Sequence, residues 1–357
     1  MSKRKTLVLF AALLGFGLTA CETDFRERAK GNISEFIVVM DSTKWEGKTA
    51  EAVRNTFGKL VFTLPNPESF YNLSFTDIRS KGQVDRLKSM KNVMFVAPLD
   101  DSSNVAAQIR SFLDDAVEER VRNGESFAFP IKDQWYRDQY ALILTSTSDS
   151  ALAEKIINSE RALLSDILER ELERWEYEVY RKKEQTQLSD SLWNRFGFKV
   201  RFQHDYHASV DTTNFLTYRR YLPENDRWMW IWWKDNVNGI NFLDDDWINA
   251  TRDSLSQIYV KGSGSETYVT TEYRRPVTTQ TFQKDHLIAY ETLGTWRMEN
   301  AAMGGPFVNF TYYDPNTDRL FMIEYSQFSP KVREKLPFVR QFRAMGRTFV
   351  NDSTRTE

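Results

Sequence analysis

Arg227 to Asp235 reads RWMWIWWKD. Side chains alternate between the faces of a β-strand, so Trp228, Trp230 and Trp232 share one face while Met229, Ile231 and Trp233 share the other. Both faces are apolar. After Asn238-Gly239, the triple Asp244-Asp245-Asp246 opens a helix through Trp247, Ile248, Leu255, Ile258 and Tyr259. The β-type runs Thr267 to Tyr273, His286 to Arg297, Pro306 to Tyr313 and Arg319 to Gln327 follow, the last two joined by the hairpin turn Asp314-Pro315-Asn316-Thr317-Asp318. An amphipathic helix, about Val332 to Thr348, closes the chain, with Pro337 expected to start or kink it.

Upstream, the element types alternate. Glu35 to Met40, Asn92 to Ala97 and Tyr140 to Leu144 read as strands. Thr49 to Leu60 and Val105 to Val117 have helical spacing, and Asn123-Gly124 ends the second. The stripe Leu164, Leu168, Leu172, Trp175, Val179 predicts a helix from Ser150 to about Lys183. At 1.5 Å per residue it would be roughly 50 Å long, so it either bends near Asn158-Ser159 or links two halves. The expected fold is α+β, mainly antiparallel sheets with packed helices, in two α+β halves joined by the long helix. The expected boundaries are a signal peptide at 1–20, a tether at 21–34, an N-terminal domain at 35–185 and a Trp-rich C-terminal domain at 186–350.

Composition is that of a folded globular chain: 357 residues, 41% hydrophobic and 27% charged. Forty-eight basic residues against 50 acidic ones argue against a nucleic-acid binder. The one Cys excludes an intramolecular disulfide, a CxxC redox pair and a thiolate zinc cluster.

That Cys follows MSKRKTLVLFAALLGFGLTA: three basic residues, an apolar run of about twelve that is too short to span a bilayer, then small residues. Leu18-Thr19-Ala20-Cys21 resembles the lipobox of bacterial lipoproteins, in which the thiol is acylated. Cys21 is therefore the expected lipidation site, with two or three acyl chains holding the protein to a membrane. Removing residues 1–20 takes away three basic groups and moves the net charge from −2 to −5. Glu22 stands where an Asp would signal inner-membrane retention in some bacteria, so the expected address is the outer membrane of a bacterial cell envelope. Gly15-Phe16-Gly17-Leu18-Thr19-Ala20 formally matches a dinucleotide fingerprint but lies inside the leader.

Thr270-Thr271-Glu272, Arg275-Pro276-Val277, Gly294 to Asn300 (GTWRMEN) and Met303 to Phe307 (MGGPF) carry a resemblance. Together they resemble an uncharacterised domain-of-unknown-function family of lipoproteins from Bacteroidetes-type bacteria, over nearly the whole mature chain. The resemblance implies an envelope address and brings no activity with it.

Around that stretch Trp296, Arg297, Glu299 and Asn300 mix stacking, charge and amide groups beside Gly304 and Gly305, which admit left-handed angles or a close backbone approach. These six are the candidate ligand contacts, against the plainer reading of a tight connection between strands. His204 and His207, in His204-Asp205-Tyr206-His207, are weak metal candidates needing a distant third ligand such as His286. Asp244 to Asp246 read as a helix cap, and Lys261-Gly262-Ser263-Gly264-Ser265 as a turn in which the Lys precedes the glycines. Six of the ten tryptophans fall between Trp193 and Trp247, as core or as glycan contacts.

No G-x-S-x-G, no H-E-x-x-H and no cofactor motif is present in the mature sequence. The expectation is a non-catalytic binding or assembly protein for an envelope protein or glycan, membrane-attached through lipid and using no cofactor. The alternative is an envelope glycan or peptide hydrolase working through carboxylates, for which Glu272, Glu299 and Glu324 are the residues to examine.

Overall fold

The computed structural model describes residues 24–264 and 266–354, so the leader and Cys21 lie outside the described residues. The first half runs β1 (Glu35–Val39), α1 (Lys48–Phe57), β2 (Leu60–Val61), β3 (Glu68–Ser69), β4 (Asn72–Thr76), α2 (Lys81–Lys88), β5 (Asn92–Val96), α3 (Asn104–Arg110), α4 (Asp115–Arg122), β6 (Ala128–Lys132), β7 (Tyr140–Leu144), α5 (Asp149–Asn158) and α6 (Glu160–Tyr180). Its sheet has the order β4-β1-β5-β7-β6. The first four strands are parallel and only β6 is antiparallel. The mainly antiparallel pairing expected is thus concentrated in the second half, because helices connect these first-half strands and a helical crossover returns the chain parallel. One apolar layer packs α1, α5 and α6 on one face, and another packs α2, α3 and α4 on the other. This explains why β5 (NVMFV) beyond Asn92 and β7 (YALIL) are apolar runs: every residue of both is buried.

Two helices follow local chemistry closely. The long helix breaks at Ser159, where a bend was expected. The helix expected across Val105 to Val117 is two, because the Asp114 side chain accepts from Val117 N at 2.8 Å and starts a new one. Residues 24–34, expected as a tether, lie against the first half instead. Ala29 N donates to Arg137 O and Lys30 N to Ser89 O, each at 2.8 Å, and Ala29 and Ile33 are buried.

The second half runs α7 (Thr186–Phe196), β8 (Phe198–Lys199), β9 (His207–Asp211), β10 (Phe215–Arg220), β11 (Asp226–Lys234), α8 (Asp245–Tyr259), β12 (Val269–Thr271), β13 (Thr278–Lys284), β14 (Leu287–Met298), β15 (Gly304–Asp314), β16 (Arg319–Phe328), α9 (Leu336–Gly346) and β17 (Val350–Asn351). β2 pairs with β3, and β8 with β17. The main sheet is antiparallel, in the order β12-β14-β15-β16-β11-β10-β9, with β13 beside β14. β11 carries the RWMWIWWKD stretch and lies inside the sheet, with Trp230 opposite Thr217 on one side and Glu324 on the other. Its two apolar faces meet two separate layers. Met229, Ile231 and Trp233 join the core under α9, and Trp230 joins the core under α8.

Each covering helix is also pinned to its face by a buried charge pair. On the α8 face Arg252 donates to Glu324 through Nε (2.7 Å) and Nη2 (2.9 Å). On the α9 face Arg343 donates to Glu291 through Nε (2.9 Å) and Nη2 (2.6 Å). Burial, the largest influence, pulls the Arg252 guanidinium down, but Glu324 and Asp253 more than offset it and its pKa is raised. Glu291 shows the mirror case: burial pushes its carboxyl up, and Arg343, Arg347 and Gln280 bring it below its ordinary value.

The halves meet through α9. Glu68 on β3 accepts from Lys335 N (2.7 Å) and Leu336 N (2.9 Å), so a carboxylate from the first half caps a helix of the second at its positive end. Arg340 lies 3.1 Å from Glu171 on α6 and donates to Ser34 Oγ at 3.0 Å. Thr295 Oγ1 donates to Thr63 O at 3.0 Å. Glu68→Ala is expected to lower stability by about 1–2 kcal/mol, the usual worth of a helix cap, as a reduced urea midpoint. An unchanged midpoint would remove Glu68 as the cap.

Candidate functional site

The apolar face under α8 is longer than the helix. Asp244 accepts from Trp247 N at 2.8 Å and caps α8, as expected of the Asp triple. The helix then lays Ile248 and Leu255 over Phe215, Trp230, Leu320 and Met322. It ends at Tyr259, whose ring stacks on Phe215 with centroids 4.0 Å apart and planes 14° from parallel. Beyond that point the chain turns back through Lys261 and Gly262, with Gly262 N donating to Thr267 O at 2.9 Å, and enters β12. The same sheet face continues through Arg219, Trp228, Met298 and Phe328, all partly exposed, around the buried Trp296. Trp228 meets Trp296 edge to face at 5.1 Å and 64°.

The helix end, the Lys261–Ser263 turn and this stretch of sheet border a half-open cavity of about 390 Å³. Tyr259, Val260, Val269, Met298, Met303 and Phe328 give it apolar walls, while Thr217, Arg219, Asp226 and Lys261 add polar groups. The Arg219 guanidinium donates through Nε to Asp226 Oδ1 at 3.1 Å, and that hydrogen bond raises its pKa. Lys261 is exposed.

The six contacts expected from sequence gather around the β14–β15 hairpin, and four of them reach a second and more open concavity next to the first. Trp296, Arg297, Asn300 and Gly304 line it together with Glu272, Arg274 and Met303. Arg297 Nη1 pairs with Glu299 Oε2 at 2.6 Å. Asn300 takes the left-handed angle the turn requires (φ 58°), and its Nδ2 donates to Glu266 O at 3.1 Å. Gly305 has a packing reason: a Cβ there would run into the Gln327 carbonyl and stand 3.0 Å from Trp296 Nε1. Trp296 itself is fully buried, and its indole N–H donates to Gln327 O at 3.2 Å. Trp296, Met298 and Met303 are shared between the two concavities.

The remaining candidates have other partners. Glu324 holds Arg252, Glu299 holds Arg297, and Glu272 is bound by Arg274, which lowers its carboxyl to about 2. An acid–base pair needs two carboxylates across one substrate, and the geometry gives each of these an arginine instead. His204 Nε2 stands 3.6 Å from Asp205, which also pairs with Arg220, and His207 opens β9 at the surface. His286 is engaged elsewhere, with Asp314 and Ser353. Among the described residues no group of three or more His, Cys, Asp or Glu is placed to hold a metal ion, and no helix is long and apolar enough to cross a membrane.

Sequence reasoning missed Arg219, Asp226, Tyr259, Lys261 and Phe328 as neighbours of Trp228. Alternation along RWMWIWWKD placed Trp228 on the correct face. What it lacked was where α8 stops.

A search of the curated proteins found no match. Among the solved structures that match, two are similar over less than half of this chain. One is the Ran-binding protein Mog1p of Saccharomyces cerevisiae, at 8% identity and TM-score 0.30, covering 44% of this chain and 92% of its own. The other is human StAR-related lipid transfer protein 5, at 11% identity and TM-score 0.16, covering 46% of this chain and 91% of its own. Both scores are below 0.5, and neither likeness bears on function. Family models match in two pieces, one for each half: residues 29–180 match a domain of unknown function (DUF8532), and residues 185–348 match a domain of unknown function (DUF4837).

Proposed function

We propose that this chain is a lipid-anchored, non-catalytic binding protein of a bacterial cell envelope, and that it takes its ligand in the cavity at the end of α8. The observation that carries the binding part is an aromatic-walled cavity of about 390 Å³ left where a helix covers only part of an apolar sheet face. Support for the anchor is the run Leu18-Thr19-Ala20-Cys21 behind a basic and apolar leader. In this reading the chain has two bodies, with the first half carrying the anchor and buttressing the second through α9.

Two measurements on the full chain from its native membrane test the two parts. Labelled palmitate is expected on the wild-type protein and absent from Cys21→Ser; label on neither removes the anchor. Native mass spectrometry is expected to show a small non-covalent adduct that Met303→Trp abolishes by filling the cavity from an exposed position. A wild-type chain that is adduct-free under all conditions counts against the binding part.

A further inference from the structure

We infer that the cavity takes a fatty carboxylate, an anionic amphiphile with one apolar chain lying against Trp228, Met298 and Phe328 and its head at Lys261 and Arg219. This names the ligand class of the site proposed above and rests on that reading.

The wall chemistry separates an acyl chain from a sugar. Sugar recognition sets several free planar polar groups around accessible ring faces, and here one of the two indoles and the carboxylate are already engaged. Trp296 is fully buried with its N–H held by Gln327 O, and Asp226, the one carboxylate among the lining residues, is held by Arg219. What the walls offer is apolar contact from valine, phenylalanine and two methionines, whose flexible thioethers adapt to an irregular chain.

Charge gives the direction. The charged lining residues are Arg219 and Lys261 against Asp226, a net single positive charge. Lys261 is exposed and the Arg219 side chain is 43% accessible, which places both cations on the solvent side of a chamber whose walls are mostly apolar. Trp228 adds a donor, since its buried Nε1 has no acceptor among the described residues. An apolar interior with a cationic opening fits a carboxylate headgroup at the surface and a chain inside. The volume falls within the roughly 300–1,000 Å³ usual for small-molecule sites.

The test uses the full chain in phosphatidylcholine vesicles, photolabelled with a palmitate analogue bearing a diazirine, with labelled peptides mapped by mass spectrometry. Label is expected on peptides containing Trp228, Met298 to Met303 or Phe328. It should be displaced by unmodified palmitate but not by maltotriose, and reduced about three- to tenfold by Lys261→Glu. Label spread over the surface, or cavity label indifferent to Lys261→Glu, overturns the assignment. If tryptophan fluorescence responds to an oligosaccharide and not to palmitate, the binding reading stands and this ligand class falls. If neither is taken up and native mass spectrometry shows no adduct for Met303→Trp or wild type, both fall.

Discussion

Arg252→Met is expected to lower stability by about 3–5 kcal/mol, far more than the loss of one surface ion pair. Arg252 and Glu324 are both fully buried, and the guanidinium also donates to Thr271 Oγ1 at 2.8 Å and covers the Phe307 ring at 3.9 Å. Methionine replaces much of the volume but leaves the Glu324 carboxylate with only Ser326 Oγ at 3.0 Å and Asn309 Nδ2 at 3.4 Å as donors. Its charge would have to be carried in an apolar layer or neutralised by taking a proton. The double change Arg252→Met, Glu324→Leu removes that stranded charge, so it is expected to recover to within about 1–2 kcal/mol of the parent. Urea unfolding of the parent, both singles and the double measures this directly. A single change that costs under about 1 kcal/mol, or a double as unstable as the single, would show that the pair does not hold α8 on the sheet.

Gly305→Ala is expected to cost about 3 kcal/mol, at the upper end for one added methyl, because the obstacle is backbone. The Gln327 carbonyl that the new Cβ would meet is the acceptor for Trp296 Nε1. Relief therefore means parting β15 from β16 or surrendering that hydrogen bond and rotating a buried indole. Since Trp296 also walls the cavity, the change should disturb binding along with stability. Gly82→Ala is the control. Gly82 lies in α2, a Cβ there meets nothing within 4 Å, and alanine should stabilise the helix by roughly 0.5–1 kcal/mol. Equal effects at the two positions in thermal or urea unfolding would contradict the close-approach account of Gly305.

Local chemistry was legible wherever one short stretch determined the outcome. Tyr140 to Leu144 is a strand at its predicted bounds, the turn Asp314 to Asp318 joins two paired strands, and Pro337 lies in the first turn of α9. Two of the missed elements lacked a local signature. β13 (TTQTFQK) and β9 (HASVD) are polar outer strands, ordered by the pairing of a neighbour rather than by burying a face of their own. Parallel pairing in the first sheet was hidden because a strand does not state its partner's direction. The candidate site was half visible for the same reason. Trp296, Arg297, Asn300 and Gly304 are near in sequence and meet at one hairpin, whereas Arg219, Lys261 and Phe328 reach the cavity only through the order of the strands.

The cap that Glu68 places on α9 joins residues 268 positions apart. A ribosome releases Glu68 long before α9, so the helix emerges to find its cap already displayed on a sheet that has had time to form. The second half is thus finished by docking onto the first. A chain released before Gly346 would expose the aromatic layer beneath α9, including Phe310 and Tyr325, and such unfinished products should be the ones that quality-control proteases recognise and remove.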